Sequence, residues 1–316
     1  MTASRFGSVA DRRPAFSVVI CTYNRADVLP RAIDTVLAQD FDDFELVVVD
    51  DGSKDGTADA VGAIADPRVH YVRQENAGLG AARNTGVDHA SGRYVVFLDD
   101  DDLALPGWLA GLHAVAVDED CTVVCCGEEL AADDGRLLAT NLPAPMGSPY
   151  ADVVGLFVPG TFAVRPDAYQ AAGGFVVGLQ HLHHSEFALR LLPLCASRGW
   201  RVCTVDRALV RRHVHEPEHG RHRVDHMLSA TSYIVEHHED RLSLLPSLLA
   251  QYCAIAGVAA VRTGDVRRAR GYFRRAMRAN PRSWKHRVRW ALTLVPPAAS
   301  LVWSGRRYRM TLPVGP

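Results

Sequence analysis

The chain has 316 residues, of which 48% are hydrophobic and 22% charged, so it is long enough for one large domain plus an appendage and is not disordered by composition. Its net charge of −1 conceals an asymmetry, because residues 262–316 contain 14 Arg or Lys and a single acid, Asp265. The sequence has no run of 18 apolar residues and no signal-peptide core near its start, which predicts a cytoplasmic protein without a membrane-spanning helix.

Four short apolar runs, rich in β-branched residues, alternate with helical patterns in the first hundred residues. The runs are FSVVIC (16–21), FELVVVD (44–50), VHYVRQ (69–74) and RYVVFL (93–98). Strands that alternate with helices predict a mainly parallel sheet with helices on both faces. Ligands bind beyond the carboxyl ends of such strands, and the polar segments TYNR, DDGS and DDDD all lie there.

The seven cysteines give a simpler expectation. Their number is odd, they include no CxxC pair, and several lie within apolar runs. This usage predicts buried free thiols in a reducing cytoplasm.

Four consecutive aspartates, residues 99–102, follow the fourth predicted strand. One of them can cap the helix that begins near Pro106, but capping uses a single carboxylate and gives no reason for four. Clustered carboxylates repel each other unless a cation neutralises them, and a hard divalent ion with oxygen ligands does so readily. The run therefore predicts a divalent-metal site at the mouth of the sheet.

The segments VVICTYNR, VVVDDGSKDGT, NAGLGAARNTG and FLDDDD, in this order and spacing, closely resemble the family-2 glycosyltransferases of GT-A fold. A weaker resemblance continues through GTFAVRPDAYQAAGGF to RALVRRHVHE. It implies an α/β, Rossmann-like GT-A domain over residues 16–225, between an N-terminal tail (1–15) and a basic helical region (226–316) with one helical hairpin. It also implies inverting transfer of a sugar from a nucleotide-diphosphate donor, most commonly a UDP-sugar, to an acceptor hydroxyl.

The same resemblance implies roles for individual residues. The nucleotide sugar would be bound by residues from all four motifs: Thr22, Tyr23, Arg25, Asp51, Arg83, Asp99 and Asp100. Asp51 would accept a hydrogen bond from the base, and Arg83 would face the phosphate or sugar. The metal, Mn²⁺ or Mg²⁺, would be held by Asp101 with Asp99, and would stabilise the charge on the departing diphosphate.

The sequence departs from the family at its general base. In the family a Glu-Asp pair precedes a helix of pattern xxLxLR, and its Asp takes the proton of the acceptor. Aligning Arg190 with the family arginine places His183 and His184 on that pair, so the usual carboxylate is absent. Three interpretations are open: His184 is the base, since imidazole is largely neutral near pH 7; Glu186 is the base; or the protein is a catalytically silent nucleotide-sugar-binding subunit.

A second group of histidines occupies residues 213–226. Aligning ALVRRHVHE with a late RVHPGS-like segment of the family places His215 where a metal-coordinating histidine is common, and His213 is the alternative one register away. His222 and His226 have the i, i+4 spacing that zinc sites use, but no third ligand or general-base glutamate is placed for a zinc hydrolase.

Residues 248–282 predict two helices joined at residues 263–265. Ala269, Phe273 and Ala276 are spaced as in the second helix of a tetratricopeptide-type hairpin. A single hairpin cannot bury its own apolar face, so it is expected to dock on the catalytic domain or on a partner.

The last segment interleaves Trp284, Trp290 and Trp303 with basic residues. It is too short to span a bilayer, but it favours peripheral contact with an anionic membrane, at the inner face for a cytoplasmic protein. The alternative is a basic helix packed on the domain. Nucleic acid is not expected as a partner, because no recognition module is present.

Overall fold

The computed structural model describes residues 13–146, 153–214, 221–295, 299 and 302–303. The strands are β1 (Phe16–Thr22), β2 (Phe44–Asp50), β3 (Val69–Arg73), β4 (Tyr94–Asp99), β5 (Leu103–Ala104), β6 (Val123–Ala132), β7 (Leu137–Asn141), β8 (Ala144–Pro145), β9 (Val154–Gly155), β10 (Phe162–Val164) and β11 (Val202–Val214). The helices are α1 (Leu29–Leu37), α2 (Thr57–Gly62), α3 (Leu79–Asp88), α4 (Trp108–Asp118), α5 (Pro166–Ala171), α6 (His183–Arg198), α7 (Arg221–His237), α8 (Glu239–Ser243), α9 (Pro246–Arg262), α10 (Val266–Ala279) and α11 (Trp284–Leu292).

One large sheet organises the described residues between 16 and 214. Its strand order is β3-β2-β1-β4-β10-β6-β11-β5, with β7 paired to β6. The pairs among β3, β2, β1 and β4 are parallel, as is β6 with β11, whereas β10 runs antiparallel between β4 and β6. The predicted mainly parallel sheet is therefore confirmed.

Alternation along the strands divides the core between the two faces of the sheet. In β1, Phe16, Val18 and Ile20 join the core under α1 and α4, whereas Val19 and Cys21 join the core under α3, α5 and α6. Because these strands are buried on both faces, they read as continuous apolar runs rather than as alternating ones.

The register of the parallel strands brings the predicted polar segments together. Thr22, the last residue of β1, pairs with Asp50 at the end of β2. On the other side of β1, Cys21 pairs with Asp99 at the end of β4. The loops that follow these three strands therefore leave the same edge of the sheet and form the candidate site.

The cysteine prediction is partly wrong. Cys121 and Cys203 form a disulfide, with Cα atoms 6.0 Å apart and 82 residues between them in the sequence. They meet because β6 and β11 pair in parallel, with Cys203 beside Val124. The other five cysteines are free and buried, as expected.

The C-terminal helices pack around their own apolar core, which includes Leu189 of α6. The expected domain boundary at residues 225/226 falls inside α7, so the helical region begins with that helix. The predicted hairpin is confirmed as α9 and α10, and Ala269, Phe273 and Ala276 are fully buried. Among the described residues, no helix is long and apolar enough to cross a membrane.

In the hairpin, the ring of Phe273 on α10 approaches the backbone of α9 closely at Gly257. A Cβ atom at Gly257 would lie 2.6 Å from the ring of Phe273, whereas one at Gly271 of α10 would have no neighbour within 4 Å. Both substitutions by alanine gain roughly 0.5–1 kcal/mol of helix propensity, but only Gly257→Ala overpacks the core, at a cost of about 1–3 kcal/mol.

We therefore expect Gly271→Ala to stabilise the protein and Gly257→Ala to be less stable than Gly271→Ala by about 1–3 kcal/mol. Urea denaturation of both variants measures the difference directly. Equal unfolding free energies would show that α9 and α10 do not pack as described.

Candidate active site

The loops after β1 and β2 are fixed to each other by hydrogen bonds from backbone amides to side chains. The Asn24 amide donates to the Ser53 hydroxyl (2.8 Å), and the Lys54 amide donates to the Asn24 side chain (2.7 Å). Asn24 has φ +53°, a left-handed conformation that Asn tolerates better than most residues. This turn leaves Tyr23 45% exposed at the edge of the sheet and directs Arg25 towards the aspartates.

Asp51 holds the loop that leads into α3. Its carboxylate accepts hydrogen bonds from the Gln74 side chain (2.7 Å) and from the amides of Ala77 (2.9 Å) and Gly78 (2.8 Å). A carboxylate has about four lone-pair positions, so three bonds leave room for one more donor. Asp51 therefore has a structural role that the sequence did not predict, and one further donor, such as a base N–H, still fits.

The four aspartates have different environments although they are adjacent in the sequence. Asp99 accepts from Arg83 (2.6 Å), and Asp101 accepts from Arg25 (2.6 Å), which also reaches Asp100 (3.2 Å). Asp102 accepts from the backbone amide of residue 213 (2.9 Å), and its other oxygen is buried without a hydrogen-bond partner among the described residues. Two arginines thus contact three of the four carboxylates.

Burial raises the pKa of Asp100 to about 6, although Arg25 and Thr22 oppose the shift. Burial also raises the pKa of Asp102 well above its ordinary value, and the charges of Asp99 and Asp101 add to the effect. Both shifts have one physical meaning: the cluster carries more negative charge than its surroundings stabilise, which is the condition that a bound cation relieves.

A cavity of about 150 Å³ opens beside these carboxylates, lined by Arg31, Asp100, Asp101 and His213 among others. The Nδ1 atom of His213 lies 2.8 Å from the backbone carbonyl oxygen of Asp101. A carbonyl only accepts, so Nδ1 is the donor in this contact, and Nε2 is the ring atom available to a ligand or metal. The structure thus brings the alternative histidine, His213, to the site, whereas His215 lies outside the described residues.

The residues present fit a hard divalent ion. Aspartate oxygens and one imidazole are suitable ligands, and an ion that also binds substrate phosphates needs only one or two carboxylates from the protein. Within the described parts of the chain, the single group of three His, Cys or acidic residues whose ligand atoms lie within 4.8 Å of one another is Glu119, Cys121 and Cys203. Two of these form the disulfide, so that group is not a metal site.

Arg83 connects the aspartates to Phe175, in the segment that precedes α6. Its guanidinium is 97% buried and lies 5.3 Å from the centre of the Phe175 ring, in addition to its bond with Asp99. The next residue, Asn84, accepts from the Phe175 amide (2.9 Å) and donates to the Phe175 carbonyl (3.0 Å). Asn84 was not singled out in the sequence, although its place in the NAGLGAARNTG motif was a signal.

The structure surrounds His184 with aromatic rings. The ring centres of Phe175, Phe162 and Phe97 lie 5.0, 5.6 and 6.3 Å from that of His184, which is 6% exposed. Its Nε2 atom has no hydrogen-bond partner among the described residues. Burial, followed by the charge of Arg83, places the pKa of His184 well below 6.5, so the ring is neutral.

Glu186 is enclosed by hydrogen-bond donors of two basic side chains. It is 1% exposed and accepts hydrogen bonds from Arg190 (2.5 and 2.8 Å) and from Nε2 of His238 (2.9 Å). Burial alone would raise its pKa, but the hydrogen bonds from His238 and Arg190 outweigh burial and lower it. Arg190 also donates to the carbonyls of Ala172 and Gly174. Glu186 therefore joins the helical region to the segment that precedes Phe175.

His183, the other histidine on the family's Glu-Asp pair, lies on the Arg83 side of α6. A Cβ atom built on Gly80 would be 3.4 Å from its Nδ1 atom, which places the ring against the start of α3. Burial and the charge of Arg83 lower the pKa of His183 to about 3. The segment that carries a carboxylate pair in the family thus presents two neutral imidazoles here.

Acidification is expected to destabilise the protein through His184. Its folded pKa lies below the unfolded value near 6.5, so the unfolded chain binds more protons below that pH. The unfolding free energy is therefore highest above about pH 6.5 and falls as the pH decreases below it. Denaturation of the wild type and His184→Phe between pH 4 and pH 8 isolates this contribution.

In His184→Phe the acid loss of stability should be smaller than in the wild type, because the substituted ring cannot titrate. The exposed His89, replaced by alanine, serves as the control and should leave the pH dependence unchanged. If the unfolding free energy of His184→Phe fell with decreasing pH as steeply as that of the wild type, His184 would not be held neutral by burial.

A buried ion pair that the sequence did not reveal flanks the aspartates. Arg212 binds Glu128 (2.7 Å), and Glu128 is 1% exposed and also accepts from Asn141 (2.8 Å). The charges of Asp102 and Asp99 help to raise the pKa of Arg212, although burial opposes the shift. Arg212 is adjacent to His213 in β11, so this pair holds the strand that delivers His213 to the cavity.

Comparison with solved structures defines the class of this fold. The chain is similar to Staphylococcus aureus TarS 1-349 in complex with UDP-GlcNAc, with a TM-score of 0.63 and 18% identity over 91% of this chain and 88% of that chain. It is also similar to the mannosyltransferase PcManGT from Pyrobaculum calidifontis in complex with GDP-Man and Mn²⁺, with a TM-score of 0.56 and 21% identity over 94% and 89% of the two chains. The fold is GT-A, as predicted.

The sequence itself matches a family model. Residues 17–153 match the family described as Glycosyl transferase family 2. The succinoglycan biosynthesis protein ExoO of Rhizobium meliloti is 39% identical over 129 residues, which are 40% of this chain and 37% of ExoO.

A second relative is the GalNAc(5)-diNAcBac-PP-undecaprenol beta-1,3-glucosyltransferase of Campylobacter jejuni. It is 42% identical over 103 residues, which are 31% of this chain and 33% of that protein. The chain thus spans little more than a third of the length of these two curated relatives.

Proposed function

We propose that the protein is an inverting glycosyltransferase that moves a sugar from a nucleotide-diphosphate donor, most favourably a UDP-sugar, to an acceptor hydroxyl. One observation carries the proposal: Asp99, Asp100 and Asp101 converge with Arg25 and Arg83 at the carboxyl edge of the parallel strands. This is where open α/β sheets bind their ligands. The family match over residues 17–153 and the nucleotide-sugar complexes of the two structural neighbours support it.

The donor would lie across all three loops. Asp51 has one lone-pair position left for a base N–H. Its amide donates to the carbonyl of Thr22 (2.9 Å), the last residue of β1, and Tyr23 follows directly. Asp100 would bind the ribose, and Arg25 and Arg83 would turn from the carboxylates towards the phosphates. Arginine suits this exchange because its planar donors match carboxylate and phosphate equally well.

Asp101 and Asp99, with an imidazole from the end of β11, would hold Mn²⁺ or Mg²⁺. The metal supplies Lewis-acid stabilisation of the charge that develops on the diphosphate as the sugar leaves. His213 is the imidazole that the structure offers, and His215 is the one that the family alignment favours. The cation would also stabilise the carboxylate of Asp100, whose pKa is raised by burial and, to a smaller extent, by the charges of Asp101 and Asp99.

On the acceptor side, His184 is the base in this proposal. Glu186 already accepts three hydrogen bonds from Arg190 and His238, which makes it unsuited to take a proton. His184 is neutral, as a base must be, but a pKa far below the working pH makes it a weak one. The aromatic enclosure of His184 is the observation that favours the alternative, a silent nucleotide-sugar-binding subunit.

Donor binding is tested without knowing the acceptor. We would titrate the protein calorimetrically with UDP in Mn²⁺ and again in EDTA, and then with GDP and dTDP. Metal-dependent binding of one nucleotide is expected. Failure of all three would overturn the donor site.

A measurement of the slow hydrolysis of the matching nucleotide sugar then distinguishes an active enzyme from a catalytically silent binding subunit. Turnover by the wild type that is lost in His184→Ala and kept in His89→Ala supports His184 as the base. Binding without any turnover, with acceptors of several classes supplied, would favour the silent subunit. Turnover that survives in His184→Ala would overturn the assignment of the base.

A further inference from the structure

The last described helix presents an apolar stripe to solvent. Trp284, Val288 and Ala291 follow one another at i, i+4 and i+7 on α11, so they lie on one face. Trp284 is 66% exposed and Val288 44%, and the exposed Leu294 and Val295 extend the apolar surface beyond the helix. These five residues are called the α11 stripe. An exposed tryptophan within a contiguous apolar surface marks an interaction site.

The opposite face of α11 is anchored, so the stripe is held outward. His286 is buried against the domain, and Trp290 packs on the core of the helical region. Arg270 of α10 donates to the carbonyl of Thr293 (2.7 Å), which fixes the end of the helix. The helical core therefore does not cover the stripe within the described residues.

The third tryptophan of the segment has a different role. Trp303 is 4% exposed and stacks on Phe273, with ring centres 5.5 Å apart. The sequence analysis did not distinguish Trp284, Trp290 and Trp303. In the structure the ring of Trp284 is exposed, whereas the rings of Trp290 and Trp303 pack against the helical core.

Positive charge flanks the stripe on both sides. Lys285 and Arg287 are exposed next to Trp284 and Val288, and Arg282 is exposed just before the helix. The whole region from residue 262 to residue 316 contains 14 Arg or Lys against one acid. An apolar face bordered by cations, with an aromatic residue at its edge, matches the interface of an anionic bilayer, where acyl chains meet negative headgroups.

We propose that the α11 stripe and its basic flanks form the surface with which the protein binds an anionic lipid membrane. A protein partner would need acidic groups around an apolar groove, and nothing in the described chain favours that over a lipid surface. The proposal does not depend on the sugar-transfer activity. If both hold, the active site works next to a membrane, and acceptors carried by lipids become accessible to it.

The test is co-sedimentation of the full chain with vesicles of phosphatidylcholine alone and of phosphatidylcholine with phosphatidylglycerol. Binding to the anionic vesicles only is expected, and it should weaken as salt rises because surface charges are screened. Lys285→Glu with Arg287→Glu should weaken binding by roughly thirtyfold or more, and Val288→Glu by about tenfold.

Matched controls come from the catalytic domain. Val117 is exposed on α4 (54%), and Arg93 is exposed just before β4. Away from the stripe, Val117→Glu repeats the change of Val288→Glu, and Arg93→Glu repeats one of the two charge reversals. Both should bind vesicles as the wild type does. Nucleotide binding by calorimetry should be unchanged in every variant, which shows that the variants are folded and keeps this test separate from that of the donor site.

Three outcomes would overturn the proposal. The first is a wild type that binds neither vesicle, and the second is binding that the stripe variants leave unchanged. The third is self-association: a wild-type dimer that Val288→Glu converts to a monomer, without vesicle binding, would assign the stripe to a second copy of the chain.

Discussion

Asp101→Ala is expected to abolish metal-dependent nucleotide binding and to lower turnover by roughly 10³-fold or more, since a catalytic metal contributes several kcal/mol of transition-state stabilisation. The substitution removes the carboxylate that the family motif places on the metal. It also removes the partner that Arg25 contacts at 2.6 Å. Calorimetric titration with the nucleotide in Mn²⁺ measures the first effect, and hydrolysis of the nucleotide sugar measures the second.

The control for Asp101→Ala is Asp118→Ala, which removes an exposed carboxylate at the end of α4, away from the cavity. This variant should bind nucleotide as the wild type does. The two variants have the same change in net charge, so the comparison excludes a general electrostatic effect. Undiminished metal-dependent binding in Asp101→Ala would remove this residue from the metal site.

Glu186→Ala is expected to lower the unfolding free energy by about 3–5 kcal/mol, because removal of one partner leaves a buried charge without compensation. Glu186 is 1% exposed, and its removal takes a hydrogen-bond acceptor from both Arg190 and His238. The variant should also loosen the contact between the helical region and α6. Urea or guanidinium denaturation measures the change in stability.

The control is the exposed pair of Arg201 and Glu119, whose side chains are 57% and 48% exposed. Glu119→Ala should change stability by no more than about 1 kcal/mol, because solvent screens the pair. Glu186→Gln adds a second measurement. If it retains stability but loses turnover, Glu186 is the base after all; if it loses stability and its remaining turnover follows the folded fraction, its role is structural.

The four aspartates show which features of the site can be predicted from the sequence and which cannot. Their place after a buried strand predicted that they would meet the TYNR and DDGS loops at one edge of a sheet, and the strand register confirms this. Their individual partners were not predictable. Arg83, Arg25 and the amide of residue 213 come from positions 16, 76 and 111 residues away, and only packing brings them close.

Glu186 shows the opposite case, in which a local pattern was insufficient. Its spacing to Arg190 is visible in the sequence as an i, i+4 pair, but its contact with His238 spans 52 residues. The sequence allowed Glu186 to be a base because it could not show that three donors already occupy the carboxylate. Burial of a carboxylate among these donors depends on how α6 packs against the helical region, and no periodicity encodes that.

The sequence by itself determined the class of the fold, the first four strands and the helices that alternate with them, the helical hairpin and the loops that form the site. These follow from local rules, since strand and helix periodicity, turn residues and the convergence of parallel strands act over short stretches of chain. Tertiary structure alone decided the Cys121–Cys203 disulfide, the enclosure of His184 by phenylalanines and the outward position of Trp284. Each of these depends on which distant surfaces meet, because burial and contact are properties of the packed molecule and not of any segment within it.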